Sequence, residues 1–171
     1  MRSLTACALV LLAGTAFAGD GEAPAALDGV PSYKLVRPGL AVGGVPAAAA
    51  LPEIAKSFRT VIDLRTEKEE GVAEERAALA AAGLRYVSVP VTADSFSSAD
   101  VDRVAAVLGE AQAAPVLLHC HSSNSVGGVL AVLAHREGRS LDEALAAGRE
   151  AGLKSEAMVE AVKRVVAAEP R

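Results

Sequence analysis

The chain has 171 residues, 51% of them apolar, which is enough for one α/β-sized domain and excludes a large multidomain enzyme. A formal net charge of −4, 3% aromatics and no Trp leave neither a basic field nor a stacking platform, so nucleic acid is excluded as a partner class. Mean hydropathy is +0.32, much of it from Ala, and past the N-terminus no apolar run nears the roughly 18 residues that cross a bilayer.

Residues 1–18 combine Arg2, an apolar stretch from Ala6 to Leu12 and a small-x-small site at Ala16, Phe17 and Ala18. This is the pattern of a secretory signal peptide, and the protein is expected to be exported, to the periplasm or beyond, with a mature body that does not span the membrane. Removal of that segment takes Cys7 with it and leaves Cys120 as the single thiol. Structural cysteines of oxidising compartments come in pairs. Cys120 is therefore a buried inert thiol, one half of an intermolecular bridge, or a reactive group. Residues 19–31 are small, acidic and Pro-containing and read as a flexible leader, with the domain over 32–171.

From Tyr33 onward, β-like and helical patterns alternate. Short strands are expected at Tyr33–Arg37 and Leu40–Val42, then an Ala-rich helix from about Pro46 to Lys56 and a buried strand at Thr60–Leu64. Thr66 and Glu69 have the spacing of a capping box for a helix that Gly83 ends. Tyr86–Val91 alternates, and Pro90 marks it as an edge or an end. A helix from near Ser98 carries Val101, Val104, Val107 and Leu108 on one stripe. Pro115–Leu118 is wholly apolar, as a central parallel strand buried on both faces would be, and Val126–His135 is apolar almost all round. Ser140 with Glu143, and then Ser155, open two last helices. The expected fold is a single α/β domain with a mostly parallel central sheet flanked by helices.

Such sheets bind ligands beyond the carboxyl ends of their strands, and there the sequence places His119-Cys120-His121-Ser122-Ser123-Asn124-Ser125-Val126. A short loop of small polar residues running into a helix leaves backbone N–H groups free to converge on an anion, and a helix N-terminus favours a thiolate beside it. Thiolate and anion cradle together suit cysteine-dependent phosphoester hydrolysis. His-Cys-His also offers metal-ligand chemistry, but adjacent residues rarely converge on one ion and His135 lies far along the next helix, so neither metal nor cofactor is expected.

Three ordered segments, Gly43-Gly44-Val45-Pro46, Val61-Ile62-Asp63-Leu64-Arg65 and His119-Cys120, carry a resemblance to the protein-tyrosine and dual-specificity phosphatase superfamily. The chain most resembles its small bacterial branch, the phosphatase-like domain of β-lactamase-hydrolase-like proteins. The resemblance implies Cys120 as nucleophile, His119, His121, Ser122, Ser123, Asn124, Ser125 and Val126 as the phosphate-binding loop, and Asp94 at the general acid's place. It implies a phosphorylated small molecule or protein as substrate. The sequence departs from that pattern where the phosphate-clamping Arg should stand. Ser125, or Val126 in the commoner spacing, occupies that position; Ser123 replaces the loop Gly and Val45 the Gln of the early turn. Two functions follow as expectations: a phosphatase of weak activity, in which Arg65, His119 or His121 substitutes for the clamp, or a pseudophosphatase that binds an anion or a protein partner without turnover. A rhodanese-like sulfurtransferase would also use a Cys after a strand, but its loop needs a basic residue that is absent here.

Overall fold

The computed structural model describes residues 22–169. Its short β-branched runs form strands β1 (Lys34–Arg37), β2 (Leu40–Gly43), β3 (Thr60–Asp63), β4 (Arg85–Ser88) and β5 (Val116–His119). They make one sheet in the order β1-β2-β5-β3-β4, parallel throughout except that β1 folds back on β2. β5 is central and buried along its length, as its unbroken apolar run requires. Its register puts Gly43 of β2 and Asp63 of β3 level with His119, so residues from three strands end in one row at the carboxyl edge.

Helices cover both faces: α1 (Leu51–Ser57) and α2 (Val72–Ala81) on one, α3 (Ser98–Leu108), α4 (Asn124–Arg136), α5 (Leu141–Glu150) and α6 (Glu156–Ala168) on the other. Strand side chains alternate between the two cores. Ala41, Val61 and Leu117 meet α1 and α2, whereas Val42, Ile62, Leu118 and Cys120 meet the larger helical layer. α4 lies beneath α5 and α6, which accounts for its apolar circumference. Two glycines let α4 and α5 touch: a Cβ on Gly127 would stand 2.5 Å from the Gly148 carbonyl, and one on Gly148 2.7 Å from that of Gly127.

Several expectations are corrected. Thr66 and Glu69 do hydrogen-bond each other, but they close a turn, because α2 begins only at Val72. The Pro46–Lys56 segment divides into a 3-10 turn (Ala48–Ala50) and α1. β4 stops at Ser88; beyond it Val89 and Val91 still donate to Asp63 and Leu64, while Pro90 has no N–H to offer. Of the segment read as a flexible leader, residues 22–31 pack on the domain. Ala23 and Val30 are buried, Pro24 accepts from the Tyr33 hydroxyl, and the Gly29 and Pro31 carbonyls accept from Ala47 and Gly44. Small side chains lie close against the sheet edge there without needing an element of their own. The signal-peptide segment lies outside the described residues.

Candidate active site

β5 delivers Cys120 to the carboxyl edge of the sheet, where two neighbouring chains hold the foot of its loop. The Cys120 amide donates to the Gly43 carbonyl at 3.4 Å, the His119 carbonyl accepts from Leu64 at 2.9 Å and the His121 carbonyl from Val45 at 3.2 Å. Ser123 then turns the chain in the left-handed region, φ 65°, where the resemblance expects Gly, and α4 starts at Asn124. An isolated antiparallel bridge between Gly44 and Ser122 turns the Ser123 amide toward the Gly43 carbonyl, while the amides of His121, Ser122, Asn124, Ser125 and Val126 donate to no other group among the described residues. Five amides are thus left without a protein partner on either side of the start of α4, where the helix carries its positive end. Cys120 is 4% exposed, which leaves little of its sulfur to bridge another chain.

The other expected residues fall into distinct environments. His121 is 78% exposed at its side chain, with Nδ1 3.8 Å from Glu69. Ser123 is buried and its hydroxyl finds no partner. Asn124 faces sideways: its carbonyl oxygen accepts from the amides of Lys154 and Ser155 at 2.9 and 3.0 Å, and its amide donates to the Ser155 hydroxyl. The Ser125 hydroxyl donates to the Val91 carbonyl at 3.3 Å, tying the Cys120 loop to the loop after β4, and Val126 is core. Asp94 sits exposed in that second loop, in a turn closed by Thr92 and Ser95. Its backbone neighbour Ala93 accepts from Arg164 at 2.9 Å, but no contact brings the Asp94 carboxylate to Cys120.

Beneath the loop lies a buried ion cluster. Arg65 is 2% exposed, neither a solvated surface charge nor a clamp reaching over the loop. Its guanidinium grips Asp63 through Nε and Nη2 at 2.8–3.1 Å and reaches Glu75 at 2.6 Å. The His119 imidazole has no exposure; its Nε2 is 2.9 Å from Glu75 Oε1 but out of line for a hydrogen bond, and its Nδ1 is 3.9 Å from Asp63. Tyr86 donates to Asp63. Burial alone would raise the Asp63 carboxyl, but the bonds from Arg65, with His119 and Tyr86, outweigh it and hold Asp63 below the ordinary carboxylate range. Burial pulls the Arg65 guanidinium down, yet Asp63 and Glu75 more than restore it. Burial, and then Asp63, hold the Tyr86 phenol above its ordinary value.

Asp63, Glu75 and His119 bring donor atoms within 4.8 Å of one another, a grouping that their separation in sequence hides. The donor set does not fit a metal ion, because the Arg65 guanidinium already stands between the two carboxylates and would face a second cation. Glu75 and Tyr86 escaped the sequence reading. Glu75 had left a signal, a carboxylate on the stripe that Val72 and Leu79 bury. The groove of about 360 Å³ lined by Lys34, Val36, Leu130 and Leu133 opens at the opposite end of the sheet, away from the thiol.

A thiol at the end of a central parallel strand, followed by an amide cradle at a helix start, defines the architecture of cysteine-dependent phosphatases. Similarity to solved structures agrees at the level of fold. Tk-PTP in its active form matches with a TM-score of 0.66 and 23% identity, over 81% of this chain and 99% of its own. The catalytic core of the PP-IP phosphatase Siw14 from S. cerevisiae matches with 0.66 and 14% identity over 82% and 88%. P. aeruginosa TpbA gives 0.63 and 24% over 82% and 86%. Residues 32–135 match the family of the phosphatase-like domain of beta-lactamase hydrolase-like protein, and the chain belongs to that family. A "Beta-lactamase hydrolase-like protein" of Agrobacterium fabrum (strain C58 / ATCC 33970) is 32% identical over 108 residues, 60% of this chain. The match spans 24% of that relative's length.

Proposed function

We propose that this protein is an exported, cysteine-dependent phosphate-monoester hydrolase of reduced activity, with Cys120 as nucleophile. The observation that carries the reading is that Cys120, at the end of the central strand, leads straight into a loop and helix start whose amides, Ser123 apart, find no partner among the described residues. In the reaction, the Cys120 thiolate attacks phosphorus, an S–P bond forms as the ester P–O bond breaks, and Asp94 gives its proton to the departing alkoxide. Water then attacks phosphorus, giving one proton back to the Asp94 carboxylate as the S–P bond breaks, and inorganic phosphate and the Cys120 thiolate are released. The amides bind the equatorial oxygens throughout. Asp94 is exposed in the loop after β4, which the Ser125 hydroxyl ties to the Cys120 loop through the Val91 carbonyl.

Ser125 limits the rate. A hydroxyl bonded to the Val91 carbonyl supplies no charge to the transferring phosphoryl group, and loss of one strong electrostatic stabiliser costs about 3–4 kcal/mol, or roughly 100- to 1000-fold. The same observation favours the alternative, a pseudophosphatase that binds a phosphorylated or protein partner without turnover. Hydrolysis of a generic aryl phosphate by reduced protein, beside Cys120→Ser and Ser125→Arg, separates the two. Wild-type turnover that Cys120→Ser abolishes establishes the enzyme; activity in Ser125→Arg alone establishes the pseudophosphatase. Turnover that survives Cys120→Ser removes the cysteine mechanism.

A further inference from the structure

The Cys120 loop carries amides but no cation of its own, and the turn between α5 and α6 lies hard against it. Gly152, at φ 112°, packs so closely on Ser123 that a Cβ there would stand 2.4 Å from the Ser123 Cβ. Asn124 fastens the two segments by accepting from the Lys154 and Ser155 amides and donating to Ser155. α4 and α6 also run the same way: Asn124 meets Ser155, and Gly128 lies against Met158 and Val162 one and two turns further on. Two helices of 13 residues each therefore bring their positive ends together, that of α4 directly after the Cys120 loop. Glu156, in the first turn of α6, offsets part of that field. The buried Ser123 hydroxyl between the segments is left without a partner.

Lys154 stands at this junction. Its backbone is fixed by Asn124 at 2.9 Å, its side chain is exposed, and its ammonium makes no ion pair or hydrogen bond among the described residues. Arg65 is committed to Asp63 and Glu75, and Arg164 donates to the Ala93 and Phe96 carbonyls of the loop after β4. We propose that Lys154, held against the Cys120 loop by Asn124, is the cationic contact to the phosphoryl group, acting in place of an arginine from the loop itself. This rests on the reading of the loop as a phosphate site. A lysine ammonium is a point charge on a flexible stem, without the fork that grips two phosphate oxygens, so the site binds phosphate more weakly and orients it less than an Arg-bearing loop would.

The test is calorimetric titration of orthophosphate into wild type, Lys154→Met, Lys154→Arg and Lys163→Met, with melting temperatures to show that each is folded. Lys163 lies on α6 and is paired with Glu160, so its removal changes net charge equally without touching the loop. The expected result is affinity at least about tenfold weaker in Lys154→Met, largely kept in Lys154→Arg and unchanged in Lys163→Met, the size of one charge-assisted contact. Equal affinity in wild type and Lys154→Met overturns the assignment to Lys154 while the phosphate site stands. Equal losses in both Met variants show a net-charge effect and also overturn it. Absence of phosphate binding in wild type removes the reading of the loop itself, and this inference with it.

Discussion

Two polar assemblies sit one residue apart at the end of β5 and obey opposite rules. In the ion cluster, Asp63, Glu75 and Arg65 are drawn out of water and pair with one another, Tyr86 adds a donor to Asp63, and His119 is packed among them with neither ring nitrogen nor the second Glu75 oxygen hydrogen-bonded among the described residues. In the Cys120 loop, most of the amides have no partner among the described residues and the side chains that could have supplied charge are serines. Buried charge without a counterion is expensive, so the first assembly is paired within itself; unpaired amides at a loop and helix start are left for water or a ligand. The position of a cation therefore says little about its use. Arg65, just beyond the end of β3, holds the platform together, whereas Lys154, on the turn before α6, has no ion pair among the described residues and is free to meet an anion.

The largest effect is expected from breaking the closed assembly. Arg65→Met leaves two buried carboxylates uncompensated and should cost about 3–5 kcal/mol of stability in urea unfolding; a loss near zero would show that the cluster is not held by this cation. In the open assembly, Ser125→Arg should raise aryl phosphate hydrolysis by roughly 100-fold or more without a comparable change in stability, because the substitution adds charge where the amides converge. Gly152→Ala adds a methyl into the Ser123 contact at a left-handed φ and should destabilise by about 1–3 kcal/mol, read by the same unfolding curves. Ser123→Gly relieves the left-handed turn and should stabilise by up to about 1 kcal/mol, a small gain because glycine also loosens the unfolded chain.

Acidity sharpens the contrast. Asp63 is held below its unfolded value, so its contribution is complete above the unfolded carboxylate pKa of about 4 and is lost as pH falls through the lower folded value. Tyr86 is held above its unfolded value, so its contribution is complete below about pH 10 and fades above it. Urea midpoints should fall at both extremes, and Tyr86→Phe should flatten the alkaline limb. An unchanged alkaline limb in that variant would assign the loss to other groups.

Much of this molecule follows from local pattern. Unbroken apolar runs at β3 and β5, the stripe of α3, and the Ser140 and Ser155 caps are short-range facts, and each element stands within a few residues of where the periodicity predicts it. His119-Cys120 between a buried strand and a helix located the candidate site for the same reason: a strand end followed by small polar residues has one place to be in such a sheet. What sequence could not decide is which charges meet. Glu75, ten residues beyond Arg65, and Tyr86, on the neighbouring strand, reach the cluster only because α2 packs on the sheet beside β4, and β4 pairs with β3 to bring its phenol to Asp63. Thr66 and Glu69 have a helix-capping spacing but close a turn, since side-chain spacing fixes a hydrogen bond and not the element that follows it. Lys154 is likewise unremarkable in sequence and reaches the Cys120 loop through Asn124 and the close approach that Gly152 permits. The sequence by itself determined the elements, the thiol and the amide loop, because these depend on neighbours along the chain; only the tertiary structure decided the ion partners and the second cationic arm, because burial and helix packing bring together residues the chain keeps apart.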